Sequence, residues 1–93
     1  MMKAIIIDDE RLARIGLKSL LEKYDDIEII GEASNADDAL EIINKLTPDI
    51  LFLDIQMPEK TGFDLLEMLP KAPHVIFTTA YDEFAIKAFE INA

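Results

Sequence analysis

The sequence predicts an α/β fold in which helices cover both faces of a doubly wound parallel sheet, and three observations support that class. Two apolar runs without polar alternation, Ala4–Ile7 and Ile50–Leu53, are typical of strands buried on both faces. Each run ends abruptly in a carboxylate, at Asp8 and at Asp54. Strand-like and helix-like segments alternate along the chain with short connections, which favours right-handed βαβ crossovers.

Each strand-like segment in the first half is followed by a helix-like segment. Asn35 is typical of a helix N-cap, and Thr47 should end the second helix because the residue before a proline avoids helical geometry. The predicted elements are a strand at Lys3–Ile7, a helix from Glu10 to about Tyr24, a strand at Ile27–Ala33 and a helix at Ala36–Leu46. On the first helix we expect basic residues to face solvent and an apolar stripe to face the core. That stripe comprises Leu12, Ala13, Leu17, Leu20, Leu21 and Tyr24.

The second half repeats this alternation. Its predicted elements are the strand Ile50–Leu53, a short helix from about Gly62 to Leu69, a strand at Val75–Thr79 and a last helix from Tyr81 onward. We expect Phe63, Leu66 and Leu69 of the short helix to face inward. Partial alternation in Ile27–Ala33 is typical of an edge strand and favours the strand order 2-1-3-4. This order places the crevice of the sheet between the first and third strands.

Composition limits the class of protein. The 93 residues suffice for one domain, spanning residues 1–93, and a hydrophobic content of 51% is ample for a core. Nineteen acidic against nine basic residues leave a formal net charge of −10, which disfavours direct contact with nucleic acid. The chain has no cysteine, and no apolar stretch approaches the roughly 18 residues of a membrane span. We therefore expect a cytoplasmic protein without disulfides or membrane contact.

The acidic residues at the strand ends should form one site. Carboxyl ends of neighbouring parallel strands lie about 4.8 Å apart, so Asp8, Asp9 and Asp54 should converge. Carboxylates that converge without a nearby cation repel one another, and a divalent cation such as Mg²⁺ relieves that repulsion. A metal-neutralised Asp54 beside hydroxyl and amide donors is suited to in-line attack on a phosphoryl group. Thr79, at the end of the next strand, is placed to hydrogen-bond the phosphoryl oxygens.

Four short segments occur in an order and at spacings that carry a family resemblance: Ile5–Glu10, Pro48–Pro58, Thr61–Phe63 and Phe77–Ala80. Along all 93 residues the chain resembles the receiver domain of bacterial two-component response regulators. The resemblance implies a flavodoxin-like, CheY-like fold. The segment Thr79–Ala93 is similar more specifically to receivers of the LytTR class, in which a C-terminal DNA-binding domain follows.

The resemblance also implies a role for each site residue. Asp54 would accept a phosphoryl group from a sensor histidine kinase, so the protein would be a phosphoryl acceptor and not a turnover enzyme. Asp9 and Asp54 would bind Mg²⁺ directly, together with the backbone carbonyl of Gln56, and Asp8 would act through water. Thr79 would be the switch hydroxyl that moves toward the phosphoryl group. Gln56 would tune the lifetime of the phosphate.

The sequence departs from the family pattern at its C-terminal end. The family's fifth strand, with its switch aromatic and phosphate-pairing lysine, and its fifth helix have no counterpart up to Ala93. Lys60 and Lys87 belong to other elements and are not expected to replace that lysine. We therefore expect slow or incomplete phosphorylation of this chain. We also expect Val75–Thr79 to be an exposed sheet edge through which the chain forms a homodimer or strand-exchanged oligomer.

Two alternatives remain open at the level of sequence. A small Mg²⁺-dependent phosphatase with an aspartate nucleophile would have a similar fold and metal. However, such enzymes place their acids as Asp-x-Asp, where this chain has Asp8, Asp9 and Glu10. The other alternative is a dimerisation fragment that is never phosphorylated. We interpret Thr78 as structural, because strand alternation directs it away from the site, and His74 as a surface residue.

Overall fold

Four parallel strands form one sheet flanked by three helices in the computed structural model, which describes residues 1–78. The elements are β1 (Met2–Ile7), α1 (Arg11–Leu21), β2 (Ile27–Ala33), α2 (Ala36–Leu46), β3 (Ile50–Leu53), α3 (Gly62–Met68) and β4 (His74–Phe77). The strand order is β2-β1-β3-β4, and every neighbouring pair is parallel. The predicted class and the predicted order 2-1-3-4 are confirmed. Thr79, Ala80 and the predicted last helix lie outside the described residues.

The two central strands are buried on both faces because helices cover both sides of the sheet. All residues of Ala4–Ile7 and Ile50–Leu53 are at most 7% exposed. On one face, Ile5, Ile7, Leu51 and Leu53 pack with α2 and α3 residues that include Ala39, Ile43 and Leu65. On the other face, Ala4, Ile6, Ile50 and Phe52 pack with Leu17 and Leu21 of α1. This two-sided burial explains why the runs lack polar alternation.

The predicted core face of α1 is wrong in part. Leu12 is 82% exposed and Leu20 is 58% exposed, while Leu21 is the buried member of the stripe. Tyr24 lies beyond the helix, which ends at Leu21, and is 57% exposed. The helix is rotated because its basic residues Arg14 and Lys18, expected to face solvent, turn toward Glu32 of β2 and hydrogen-bond it.

The second helix begins and ends as predicted. The Asn35 side chain caps its N-terminus by accepting a hydrogen bond from the Asp38 amide at 2.8 Å. Thr47 follows the last helical residue in the left-handed region, with φ of 45°, so the helix stops before Pro48. Leu46, in the last turn of the helix, is 37% exposed.

The third helix is fixed by its first turn. Thr61 and Asp64 form a reciprocal capping box, which satisfies two backbone amides that would otherwise lack partners. Its fully buried residue is Leu65, which the predicted inward face omitted, whereas Phe63 is half-buried and packs against Phe77 at a centroid distance of 5.6 Å.

Among residues 1–78, no helix is long and apolar enough to cross a bilayer.

Candidate metal centre

The acidic residues are brought together by the register of the two central strands. Ile7 of β1 lies beside Leu53 of β3, so the residues that follow each strand emerge side by side. The Asp54 amide extends this pairing by donating to the Ile7 carbonyl at 2.9 Å. One carboxylate oxygen each from Asp8, Asp9 and Asp54 lies within 4.8 Å of the others. The three carboxylates therefore converge, as the strand order predicts.

Burial and mutual repulsion make this cluster electrostatically unfavourable without a cation. Burial, reinforced by the charge of Asp8, raises the pKa of the Asp54 carboxyl to about 6. The Gln56 amide opposes the rise by donating to Asp54 Oδ1 at 3.3 Å. Burial also raises the pKa of Asp8, although the Glu10 amide, 2.9 Å from Asp8 Oδ1, stabilises its charged form. A cation bound among these carboxylates would remove the repulsion.

The carboxylates line an open cleft of about 680 Å³ at the C-terminal edge of the sheet. Gln56 lies in its lining, as expected for a residue that follows the third strand. Thr61 and Thr78 also line it, although the strand pattern assigned Thr78 to the opposite side. The Thr78 amide continues the β3–β4 pairing by donating to the Leu53 carbonyl at 3.0 Å, which places this residue at the mouth of the crevice.

The donor set fits a hard divalent cation. Carboxylate oxygens are the preferred ligands of Mg²⁺, which usually takes one or two of them from a protein and keeps several waters. The open cleft leaves room for those waters. The Gln56 amide contacts Asp54, so the Gln56 backbone lies beside the cluster, where its carbonyl was expected to act.

Other charged residues singled out in the sequence lie away from the cluster. Lys60 Nζ contacts Asp37 Oδ1 at 2.6 Å, an ion pair between the loop after β3 and the first turn of α2. His74 is exposed at the start of β4, at the opposite end of the strand from the cleft. Lys87 lies outside the described residues.

Two residues near the site were not identified as functional from the sequence. Gly62 packs so closely on the end of β3 that a Cβ atom there would lie 2.7 Å from the Asp54 carbonyl oxygen. Its amide also donates to the Ile55 carbonyl at 2.9 Å. Arg14, expected on a solvated face, donates through Nη1 to the Asp8 carbonyl at 2.8 Å. This contact of Arg14 could have been predicted from helix geometry. Helical side chains lean toward the N-terminus of their helix, so a long side chain in the first turn can reach the preceding loop.

Comparison with protein families identifies one match over almost the whole chain. Residues 4–93 match the model of the response regulator receiver domain. The transcriptional regulatory protein BtsR of Salmonella typhi is 53% identical over 95 aligned residues, and BtsR of Escherichia coli K12 is 50% identical. Each alignment covers 100% of this chain and 40% of the relative, so the chain spans about two fifths of the length of these proteins.

Solved structures with the same fold include two receiver domains. The response regulator domain of Thermotoga maritima CheB superposes with a TM-score of 0.85 at 28% identity, covering 100% of this chain and 74% of that domain. The response regulatory domain of mrkE from Klebsiella pneumoniae gives a TM-score of 0.83 at 35% identity, covering 99% of this chain and 78% of that domain. Both alignments include the segments that carry Asp8, Asp9 and Asp54, because they cover nearly all of this chain.

Proposed function

This chain belongs to the response regulator receiver domain family, and on that premise we propose that Asp54 accepts a phosphoryl group from a sensor histidine kinase. One observation carries the proposal: Asp8, Asp9 and Asp54 converge in an open cleft, and the half-buried Asp54 has a pKa raised to about 6. At neutral pH this carboxylate is largely ionised, the form in which its oxygen can attack phosphorus.

The transfer uses the carboxylate of Asp54 and the groups around it. One oxygen of Asp54 forms a bond to phosphorus while the nitrogen–phosphorus bond of the donor phosphohistidine breaks, and the imidazole keeps the electron pair. Asp9, Asp54 and the Gln56 backbone carbonyl would hold Mg²⁺ directly, and Asp8 would hold it through water. When bound, Mg²⁺ neutralises the carboxylates and the charge on the phosphoryl oxygens. We assign to the Thr79 hydroxyl a hydrogen bond to the phosphoryl group.

The receiver would control a larger protein. Its 50–53% identical relatives carry the name transcriptional regulatory protein, which supports a role in transcription control. We propose that the receiver acts on a C-terminal DNA-binding domain of the LytTR type, a class supported by the likeness of Thr79–Ala93 to such receivers. The receiver itself, with a net charge of −10, would not touch nucleic acid. The proposed location is the cytoplasm, where sensor kinases present their phosphohistidine.

Mass spectrometry of the chain treated with acetyl phosphate and Mg²⁺ tests the acceptor role. We expect one added phosphoryl group, none after Asp54→Asn, and unchanged labelling in the matched variant His74→Ala. Label that persists in Asp54→Asn would refute the assignment. Repeated turnover of a generic phosphate ester would instead favour the phosphatase alternative, because a receiver carries out no such turnover. Light scattering coupled to size exclusion tests the homodimer, which stays a prediction.

A further inference from the structure

Arg14 links α1 to the acidic loop, residues 8–10, which connects β1 to α1 and carries Asp8 and Asp9. Its side chain is only 17% exposed, although it occupies the helix face that was expected to be solvated. Nη1 donates to the Asp8 carbonyl at 2.8 Å, and Nε donates to Glu32 Oε1 at 3.2 Å. Glu32 Oε2 accepts in turn from Lys18 Nζ at 2.7 Å. One guanidinium therefore joins the acidic loop, the first helix and the edge strand.

The Asp8 carbonyl is an effective point at which to fix this loop. It belongs to the planar peptide unit that connects Asp8 to Asp9, so holding the oxygen also sets the direction in which Asp9 leaves the strand. The Asp8 amide donates to the Ala33 carbonyl at 3.1 Å, and the Asp8 carboxylate accepts from the Glu10 amide at 2.9 Å. With Arg14 on the carbonyl, the amide, carbonyl and side chain of Asp8 are all hydrogen-bonded.

Glu32 explains why the guanidinium bonds the carbonyl without neutralising the acidic cluster. A cation beside Asp8 would be drawn to its carboxylate and would compete with a metal ion, and the charge of Arg14 already opposes the rise in the pKa of Asp8. Glu32 provides Arg14 with a different carboxylate partner, on β2, which Arg14 shares with Lys18. Among the described residues, the polar contacts of the Arg14 guanidinium are the Glu32 carboxylate and a neutral peptide oxygen.

We infer that Arg14 is a positioning residue that fixes the Asp8–Asp9 peptide and thereby orients the carboxylates that bind the divalent cation. The inference rests on the proposed metal site. It makes a distinctive prediction, because two effects of removing Arg14 have opposite signs. Losing a nearby positive charge should strengthen Mg²⁺ binding, whereas losing the orientation of the loop should weaken it.

A Mg²⁺ titration, monitored by the NMR chemical shifts of the backbone amides in the acidic loop, gives the Mg²⁺ affinity of each variant and shows which effect dominates. We expect Arg14→Ala to weaken Mg²⁺ binding about tenfold, as is typical when a residue supporting a metal ligand is removed. Lys18→Ala is the matched control, since it removes one positive charge from the same Glu32 network without touching the loop. The Mg²⁺ affinity of Lys18→Ala should equal that of the wild type or exceed it slightly. Arg14→Lys keeps the charge but lacks the two-pronged donor, so its affinity should lie between those of wild type and Arg14→Ala.

A second measurement, made without Mg²⁺, tests the positioning role of Arg14 independently of the proposed metal site. Amide exchange and shifts of Asp9 and Glu10, recorded without Mg²⁺, should change in Arg14→Ala and stay unchanged in Lys18→Ala. Arg14→Ala with Mg²⁺ affinity equal to or tighter than that of Lys18→Ala would overturn the inference, as would an unaltered loop. If the wild type binds no Mg²⁺, the proposed metal site is wrong, and the metal-free loop data then decide the positioning role by themselves. Should Arg14→Ala fail to fold, Arg14→Lys is compared with the wild type, since both carry the charge, and equal Mg²⁺ affinity in the two would overturn the inference.

Discussion

Replacing Gly62 by alanine should displace the backbone that carries the proposed phosphoryl acceptor. The added Cβ would lie 2.7 Å from the Asp54 carbonyl oxygen, 3.1 Å from Leu53 Cγ and 3.2 Å from Ile55 Cα. Carbon–oxygen contacts in proteins lie at about 3.3–3.6 Å, so α3 and the end of β3 must separate by roughly 0.6 Å. Two of the three obstructing atoms belong to backbone, which cannot rotate away as a side chain would.

The energetic consequence follows from overpacking. Inserting a methyl group into a packed site typically costs about 1–3 kcal/mol, and Gly62, as the first residue of α3, gains little from alanine's helix propensity. For a domain of this size, 1 kcal/mol lowers the melting temperature by roughly 4–8 °C. Because the clash falls on Asp54 itself, we also expect weaker Mg²⁺ binding and slower phosphorylation.

Thermal and urea unfolding followed by circular dichroism, together with the rate of labelling by acetyl phosphate, test this reasoning. Gly16→Ala is the matched control, because a Cβ on this α1 glycine has no neighbour within 4 Å. That variant should gain up to about 1 kcal/mol from helix propensity and keep its labelling rate. A Gly62→Ala protein as stable and as rapidly labelled as the wild type would show that the close approach of α3 to Asp54 does not matter.

Two further predictions concern the charge of the acidic cluster. Since the folded pKa of Asp54 is about 6, above its ordinary 3.8, the folded state binds more protons in this interval, and stability falls as pH rises through it. Asp54→Asn should remove the part of that fall due to Asp54, although the raised pKa of Asp8 leaves a smaller one. The variant should be more stable than the wild type at neutral pH by about 1 kcal/mol, after allowance for solvent screening; urea unfolding across pH 4–8 checks it, and an equal pH dependence in both proteins would contradict it. Mg²⁺ at ten times its dissociation constant should stabilise the wild type by about 1.4 kcal/mol and leave Asp9→Ala unchanged; a melting temperature that rises equally in both would place the ion elsewhere.

The sheet and the convergence of the acids could be predicted because each depends on a short-range pattern and one topological rule. The runs Ala4–Ile7 and Ile50–Leu53 are apolar throughout because both of their faces are covered, and the observed burial confirms this. Once these strands are neighbours and parallel, their carboxyl ends must lie side by side. No knowledge of the side-chain contacts is needed to bring Asp8 and Asp54 together.

The rotation of α1 could not be predicted in the same way, because it depends on a partner remote in sequence. Its apolar periodicity alone favours burial of Leu12 and Leu20, which are exposed. The helix instead turns Arg14 toward Glu32, which lies 18 positions further along the chain on the edge strand. Only the tertiary pairing of β1 with β2 brings that carboxylate within reach.

The contacts that were not predicted from the sequence are those that orient the carboxylates of the site. Topology determines which carboxylates meet, but the direction of each depends on the peptide that carries it. Arg14 fixes the peptide between Asp8 and Asp9, and Gly62 allows α3 to press against the carbonyl of Asp54. Neither residue offers a ligand atom to the cleft in the proposed mechanism, so a search for acids and hydroxyls passes over both. Variants at these two positions should therefore alter Mg²⁺ affinity while all three carboxylates remain in place.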